Sequence, residues 1–179
     1  MKILIGKLGV ELDDSKIEGL IGLKMVNMNY YPACPNPDLT VGVGRHSDAG
    51  TITVLLQDGI GGLYVKEEKD DGKEEWLEIP PIPGALVINV GDALEILSNG
   101  KYKSSEHRVM TTSTQSRVSI PLFTLPIVTE RIGPLPGLVK NDELADYREV
   151  LWQDYMDNFY GTAHEGKKTL EFAKINFAQ

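Results

Sequence analysis

The stretch HSDAGTITVLLQDGIGGLYV, residues 46–65, contains two apolar runs separated by a glycine-rich turn. The first run, residues 51–57, is rich in β-branched and aliphatic side chains, which are typical of strands. Gly59 and the pair Gly61-Gly62 supply the backbone freedom that a tight connection needs. This stretch therefore predicts two neighbouring β-strands, preceded by a short polar segment that contains His46 and Asp48.

The same pattern extends through most of the chain. Short segments rich in Val, Ile, Leu and Tyr alternate with Pro, Gly and Asn, as in β-sandwiches and barrels. We expect strands at residues 24–30, 51–57, 63–66, 76–78, 85–90 and 117–124. Pro121 cannot donate to a strand ladder, so we expect it at a sheet edge, a bulge or a strand end. The pattern predicts a mainly β fold, and a sandwich or jelly roll is favoured.

Helices are expected on both sides of these strands. Asp13-Asp14-Ser15 can cap a short helix that ends near Gly22. Apolar residues recur near the helical period across residues 141–160, before Gly161, and a short helix is expected from Gly166. Ser98-Asn99-Gly100 is typical of a tight turn. We divide the chain into an N-terminal helix (residues 1–22), a β core (23–127) and a C-terminal helical extension (128–179).

Composition excludes several classes of partner. The chain has 179 residues, 41% of them hydrophobic, which is enough for one buried core. A net charge of -8 argues against nucleic acid as a partner. No apolar run reaches the roughly 18 residues that span a bilayer, so we expect a cytoplasmic protein without a membrane partner. Cys34 is the single cysteine, and any metal must therefore be held by histidine and carboxylate.

His46 and Asp48 are the first candidate metal ligands. In an extended segment, side chains at i and i+2 point to the same face, so both can reach one ion. His107 can be supplied by a distant strand of the same sandwich. Two histidines and one carboxylate form the ligand set of non-haem Fe(II) oxygenases. The alternative is a surface turn, because the residues around His46 are turn-prone.

Arg117 and Ser119 form a second i, i+2 pair. A buried arginine is costly unless an anion meets its guanidinium group, and a dicarboxylate fits that geometry. The alternative is an arginine at the mouth of the strand that pairs with Glu106. Asn29 and Tyr31 can add polar contacts to the same pocket. We expect His164 to lie near a helix end and Cys34 to be structural.

Several motifs together resemble the catalytic region of plant 2-oxoglutarate/Fe(II) dioxygenases. They are NYYP (residues 29–32), HSD (46–48), GD (91–92), ILSNGKYKS (96–104), HR (107–108) and RVS (117–119). Within that family, VGVGR (41–45), LLQDGIGGLYV (55–65) and QDYM (153–156) are most similar to feruloyl-CoA ortho-hydroxylases. The resemblance extends from about the first helix to the terminal helix.

The resemblance implies a double-stranded β-helix, or jelly-roll, core with flanking helices. It implies iron ligation by His46, Asp48 and His107. It implies that 2-oxoglutarate contacts Tyr31, Arg117 and Ser119, with Asn29 as a secondary candidate. Fe(II), 2-oxoglutarate, O2 and ascorbate are the implied cofactors. The implied substrate is an aromatic acyl-CoA thioester, hydroxylated on its ring on the route to coumarins such as scopoletin.

Two other functions stay open at this point. Family members are about twice as long, which implies a further N-terminal region. We expect a monomer when that region is present. The first alternative is thus a truncated, inactive fragment that keeps the metal-binding core. The second is a metal-free jelly-roll binding protein, in which the three candidate ligands do not converge. The substrate also stays open, because a dioxygenase that acts on another phenylpropanoid, a flavonoid or an alkaloid is a further alternative.

Overall fold

The computed structural model describes residues 1–69, 72–139, 145–161 and 167–175. Its larger sheet is antiparallel and is built around β9 (Arg117–Leu125). On one side β9 pairs with β1 (Leu23–Val26) and β2 (Asn29–Tyr31), and on the other with β4 (Ile52–Gln57). β4 in turn pairs with β7 (Val87–Val90). The predicted strands from both halves of the sequence thus meet in one sheet.

The smaller sheet is also antiparallel and has the order β3, β8, β5, β6. These strands are β3 (Val41–His46), β5 (Leu63–Glu68), β6 (Glu74–Glu78) and β8 (His107–Met110). Side chains from both sheets line one cavity, so the two sheets face each other. The expected double-stranded β-helix core is confirmed. The short strands β3 and β8 were not predicted, because glycine, arginine and histidine weaken their local β signal.

Pro121 lies inside the central strand β9, so its expected position at an edge, a bulge or a strand end was wrong. The register on both sides of it is continuous, with Val26 opposite Leu122 and Asn29 opposite Ser119. Asn27 donates its N–H to the Pro121 carbonyl at 3.1 Å, but proline has no N–H to donate in return. The ladder is interrupted there, and the strand expected at residues 24–30 is divided into β1 and β2.

The N-terminal part contains α1 (Lys2–Lys7), which was not predicted, and α2 (Asp14–Ile21). The Asp13 carboxylate accepts a 2.7 Å hydrogen bond from the Lys16 N–H, which confirms the expected cap of α2. A further short helix, α3 (Asp92–Leu97), is buried along its whole length and was also missed. It ends at the predicted turn, where Asn99 and Gly100 have φ of 49° and 74°.

Within the described residues, the helix expected over residues 141–160 was wrong at residues 145–151. Residues 141–144 lie outside the described residues, and helix α4 (Trp152–Gly161) begins only at Trp152. Before it, β11 (Val150–Leu151) pairs with β10 (Arg131–Ile132). This pairing between distant segments overrides the helical period. Gly166 lies outside the described residues, and a 3-10 helix covers Lys167–Phe172.

The main hydrophobic core lies where the helices pack against one end of the larger sheet. Its fully buried members include Ile5, Leu20, Leu94, Trp152 and Tyr155. A smaller cluster formed by Tyr31, Leu63 and Val109 lies between the sheets. Among the described residues, no helix combines the length and the apolar character needed to cross a membrane.

Candidate metal centre

The three predicted metal ligands come together at one end of the two-sheet core. His46 is the last residue of β3 and lies directly opposite His107, the first residue of β8. Their Nε2 atoms lie 3.8 and 3.7 Å from Oδ1 of Asp48. One ligand atom from each of the three residues lies within 4.8 Å of the others. The structure therefore brings the three side chains to one point, which a surface turn at His46 would not do.

A backbone carbonyl group lies within hydrogen-bond distance of Nδ1 of each imidazole. The Nδ1 atom of His46 lies 2.8 Å from the Gly44 oxygen, and that of His107 lies 3.1 Å from the Ser105 oxygen. A carbonyl oxygen can only accept, so each Nδ1 carries the hydrogen. Each Nε2 then presents its lone pair toward the other ligands, the usual arrangement of metal-binding histidine.

Two side chains from the larger sheet orient the Asp48 carboxylate, which is 6% exposed. The Thr53 hydroxyl donates to Oδ2 at 2.6 Å, and the Asn89 amide donates to the same oxygen at 2.9 Å. Oδ1 is the oxygen that faces the imidazoles. Sequence reasoning missed Thr53 and Asn89. The sequence offered one signal for both residues, because each is a polar residue on a strand face that also carries apolar side chains.

Arg117 lies inside the same cavity and is 2% exposed. Its Nε donates to the Ile60 carbonyl at 3.3 Å, and its Nη2 donates to the Gln57 side-chain oxygen at 2.9 Å. Its Nη1 is buried and has no hydrogen-bond partner among the described residues. Burial lowers the pKa of Arg117, and the nearby Tyr31 and Asp58 oppose that shift. A buried guanidinium nitrogen without an acceptor is the expected signature of an anion site.

The alternative pairing of Arg117 with Glu106 does not occur. The Glu106 carboxylate instead lies 3.9 Å from Arg45 Nε and 3.6 Å from Lys66 Nζ. The Arg117 guanidinium group lies over the Tyr31 ring, 5.3 Å from its centroid. Sequence reasoning also missed Gln57, which anchors the arginine from β4.

The remaining predicted co-substrate residues share this face of the sheet. Ser119 lies opposite Asn29 and Arg117 lies opposite Tyr31 in the β2–β9 ladder. All four side chains line a cavity of about 210 Å³ that also contains the three metal ligands. Its apolar lining comprises Val43, Leu55, Leu63, Val65, Val87, Val109, Pro121 and Phe123.

The sequence also drew attention to His164 and Cys34. His164 lies outside the described residues, so its expected place at a helix end stays a prediction. Cys34 is half-buried and is absent from the described lining of the cavity. Hydrogen bonds from the Thr40 side chain and the Asn36 backbone lower the pKa of its thiol.

The fold and the site together define a class of protein. A jelly-roll core in which two histidines and one carboxylate converge in the cavity is typical of non-haem iron oxygenases. The sequence model of the 2OG-Fe(II) oxygenase superfamily matches residues 23–126. The chain belongs to this superfamily.

Curated relatives are plant hydroxylases. The chain is 64% identical to a scopoletin 8-hydroxylase of Arabidopsis thaliana over 97% of its own length and 48% of the relative's. It is 56% identical to a feruloyl CoA ortho-hydroxylase of Ipomoea batatas over 98% of its length and 49% of the relative's. The chain therefore spans about half the length of the curated relatives it matches.

Solved structures support the same family. A crystal structure of JOX2 in complex with 2OG, Fe and JA superposes with a TM-score of 0.84 at 36% identity, over 98% of this chain and 52% of that one. A dioxygenase for auxin oxidation from rice superposes with a TM-score of 0.83 at 28% identity, over 97% and 57%. Iron and 2-oxoglutarate are the cofactors of this family, used with O2 and ascorbate, as the sequence resemblance implied.

Proposed function

We propose that this chain is the catalytic part of an Fe(II)- and 2-oxoglutarate-dependent hydroxylase that acts on the aromatic ring of a phenylpropanoid. In this proposal His46, Asp48 and His107 hold the iron. The observation that carries it is the convergence of their ligand atoms within 4.8 Å in the cavity that also contains Arg117. A metal-free binding protein would not need three side chains placed to share one ion.

The co-substrate site is proposed at Arg117 and Ser119, with contacts from Tyr31 and Asn29. The unpartnered Nη1 of Arg117 supports this assignment, because a carboxylate is the natural acceptor for a buried guanidinium group. Ser119 is 2% exposed and lies two residues further along the same strand face, where its hydroxyl can donate to the same carboxylate.

The protein's part in the reaction is to bind, orient and exclude water. When bound, Fe(II) and 2-oxoglutarate would activate O2, which is the oxidant. His46 and His107 contribute neutral nitrogen ligands, and Asp48 contributes a negative charge whose second oxygen is held by Thr53 and Asn89. The cavity that these three residues line would leave room for the co-substrate beside the metal. The apolar lining keeps bulk water away from the reacting groups.

The relatives support ring hydroxylation of two related substrates. Feruloyl-CoA is the substrate that the sequence resemblance implies, and the 56% identity to a feruloyl CoA ortho-hydroxylase supports it. Scopoletin is the second candidate, supported by the 64% identity to a scopoletin 8-hydroxylase. Among the described lining residues, Arg117 is the one Lys or Arg side chain. If feruloyl-CoA is the substrate, we expect its phosphates to lie outside this cavity.

The domain division made from the sequence is kept as part of the proposal. Residues 23–127 would be the oxygenase core, with residues 1–22 and 128–179 as flanking helical regions. The family match over residues 23–126 supports the core boundaries. The cytoplasmic location and the monomeric state of a longer form stay predictions.

Iron binding is the first test of this function. Anaerobic Fe(II) titration should give one site per chain, and Asp48→Ala should lose it without loss of cooperative unfolding. Asp38→Ala is the matched control, because Asp38 is exposed and lies on a 3-10 turn, Pro37–Leu39, away from the site. Equal iron binding by the unaltered chain and the Asp48 variant would show that the metal lies elsewhere.

Turnover is the second test. The chain, supplied with Fe(II), ascorbate and 2-oxoglutarate, should release succinate and a hydroxylated product with feruloyl-CoA or with scopoletin. Product from scopoletin and not from feruloyl-CoA would identify scopoletin as the substrate. Iron binding without product from either substrate would support the inactive-fragment alternative.

A further inference from the structure

Two buried carboxylates lie next to the proposed metal site but outside the cavity lining. They are Asp92 and Glu95 on α3, 0% and 3% exposed. Burying a carboxylate is costly unless hydrogen-bond donors stabilise it. The proposed function gives neither residue a role, so their contacts are informative.

Asp92 accepts hydrogen bonds from several buried hydroxyl groups. The Ser47 hydroxyl donates to Oδ2 at 3.0 Å, and the Ser104 hydroxyl donates to Oδ1 at 2.7 Å. From the C-terminal region, the Tyr155 and Thr169 hydroxyls donate to Oδ2 at 2.9 and 3.3 Å. One carboxylate therefore connects four segments of the chain that are far apart in sequence.

Two of these segments carry the proposed metal ligands. Ser47 lies between His46 and Asp48, so its side chain points away from the metal while its neighbours point toward it. Ser104 lies three residues before His107. The Asp92 N–H also donates to the Asp48 carbonyl oxygen at 2.7 Å. Asp92 thus holds the backbone on both sides of the metal site.

We propose that Asp92 is a positioning residue for the metal centre: its carboxylate fixes the His46–Asp48 segment relative to the strand that begins at His107. This inference rests on the proposed function. The physical reason is that three ligands bind one ion well only when their relative positions are set before the ion arrives. A carboxylate with donors from both ligand segments sets those positions through short hydrogen bonds.

Glu95 provides the comparison within the same helix. Its carboxylate accepts from the Ser104 N–H at 2.7 Å and from the Tyr147 hydroxyl at 2.8 Å. The described contacts of Tyr147 do not reach Ser47 or either histidine. Tyr147→Phe therefore removes the hydroxyl that donates to Glu95 and leaves the described hydrogen bonds of Asp92 in place, so it serves as the matched control.

The test measures the affinity of Mn(II), a stable substitute for Fe(II), from the electron paramagnetic resonance signal of the free ion, together with thermal unfolding of the metal-free chain. Asp92→Asn keeps the shape and removes the charge, and we expect the Kd for Mn(II) to rise about tenfold or more. Ser47→Ala should raise it less. The double variant should bind Mn(II) no more weakly than Asp92→Asn alone, because both changes act on the same hydrogen bond. Tyr147→Phe should lower Tm and leave the Kd unchanged.

The outcomes separate the two proposals. A folded Asp92→Asn variant with unchanged Mn(II) affinity overturns the positioning role and leaves the metal site intact. Mn(II) binding that is unaltered in Asp48→Ala overturns the metal site, and the positioning role with it. If Asp92→Asn does not fold, Ser47→Ala provides the test, because it leaves the Asp92 carboxylate with its other hydrogen-bond donors. Unchanged affinity in that variant also overturns the inference.

Discussion

The Thr53 hydroxyl donates a 2.6 Å hydrogen bond to Oδ2 of Asp48, and the other oxygen of that carboxylate faces the two imidazoles. Thr53 lies on β4 of the larger sheet, whereas His46 and His107 lie on strands of the smaller sheet. This contact therefore holds Asp48, which lies in the loop between β3 and β4, at the proposed metal site. It also determines which oxygen is available to an ion.

Thr53→Val should weaken iron binding, because the valine keeps the shape but cannot orient Asp48. We expect Fe(II) affinity to fall about tenfold and stability to fall by about 1 kcal/mol. Thr124→Val is the control, since the Thr124 hydroxyl contacts Thr51 and Ile52 instead. It should lower stability without altering iron affinity. Equal iron affinity in both variants would contradict the role of Thr53.

Arg117→Lys should weaken 2-oxoglutarate binding. Lysine keeps the positive charge but loses the planar fork that meets a carboxylate and the contact to Gln57. We expect a loss of about 1–3 kcal/mol in binding free energy, measured by calorimetry in the presence of Mn(II). Arg148→Lys, on the exposed surface, is the control and should leave affinity unchanged. An unaltered affinity in the Arg117 variant would show that this arginine is structural.

Alkaline pH should destabilise the chain through two buried phenols. Burial raises the pKa of Tyr155, and the charge of Asp92 adds to the rise. Burial and the hydrogen bond to Glu95 raise the pKa of Tyr147 in the same direction. Both contribute stability that is fully present below the unfolded phenol pKa of about 10 and is lost as the pH rises toward the folded values.

Urea unfolding between pH 7 and about pH 11 tests this. The free energy of unfolding of the unaltered chain should fall above pH ~10, and Tyr155→Phe should flatten that fall while lowering stability at neutral pH. Tyr160→Phe is the control, because Tyr160 is 72% exposed. A fall of the same steepness in the Tyr155 variant would exclude this phenol as its source.

The outer face of the larger sheet should promote self-association of this chain. Several apolar side chains on or next to its strands are exposed there, namely Val26, Met28, Leu56, Leu86, Ile88 and Val118. Patches of this kind on a protein surface are sites of association. Sedimentation velocity over a concentration series should show oligomers at high concentration.

Ile88→Thr should reduce that association, because Ile88 is 59% exposed on this face. Ile82→Thr is the matched control, since Ile82 is 67% exposed but lies in the loop before β7. A chain that stays monomeric at all concentrations, or an equal effect of the two substitutions, would contradict the prediction.

The local sequence identified residues that line one cavity better than it predicted the elements that hold them. His46, Asp48, His107, Arg117 and Ser119 were named from residue type and spacing, because i, i+2 pairs share a face in any extended segment. Thr53, Asn89 and Gln57 were missed. Their roles depend on side chains that are distant in sequence, and a single polar residue in an apolar strand does not identify its partner.

The amino-acid sequence by itself determined the β class, the cap of α2, the turn at Asn99-Gly100 and the chemistry of the donor set. Each of these depends on residue type and on neighbours a few positions away. The tertiary structure alone decided that β3 and β8 are strands, that Pro121 lies in a central strand, and that α4 begins only at Trp152. It also decided that Asp92 contacts both ligand segments. The physical reason is that strand pairing and the burial of a carboxylate depend on contacts between distant segments, which can outweigh local propensity.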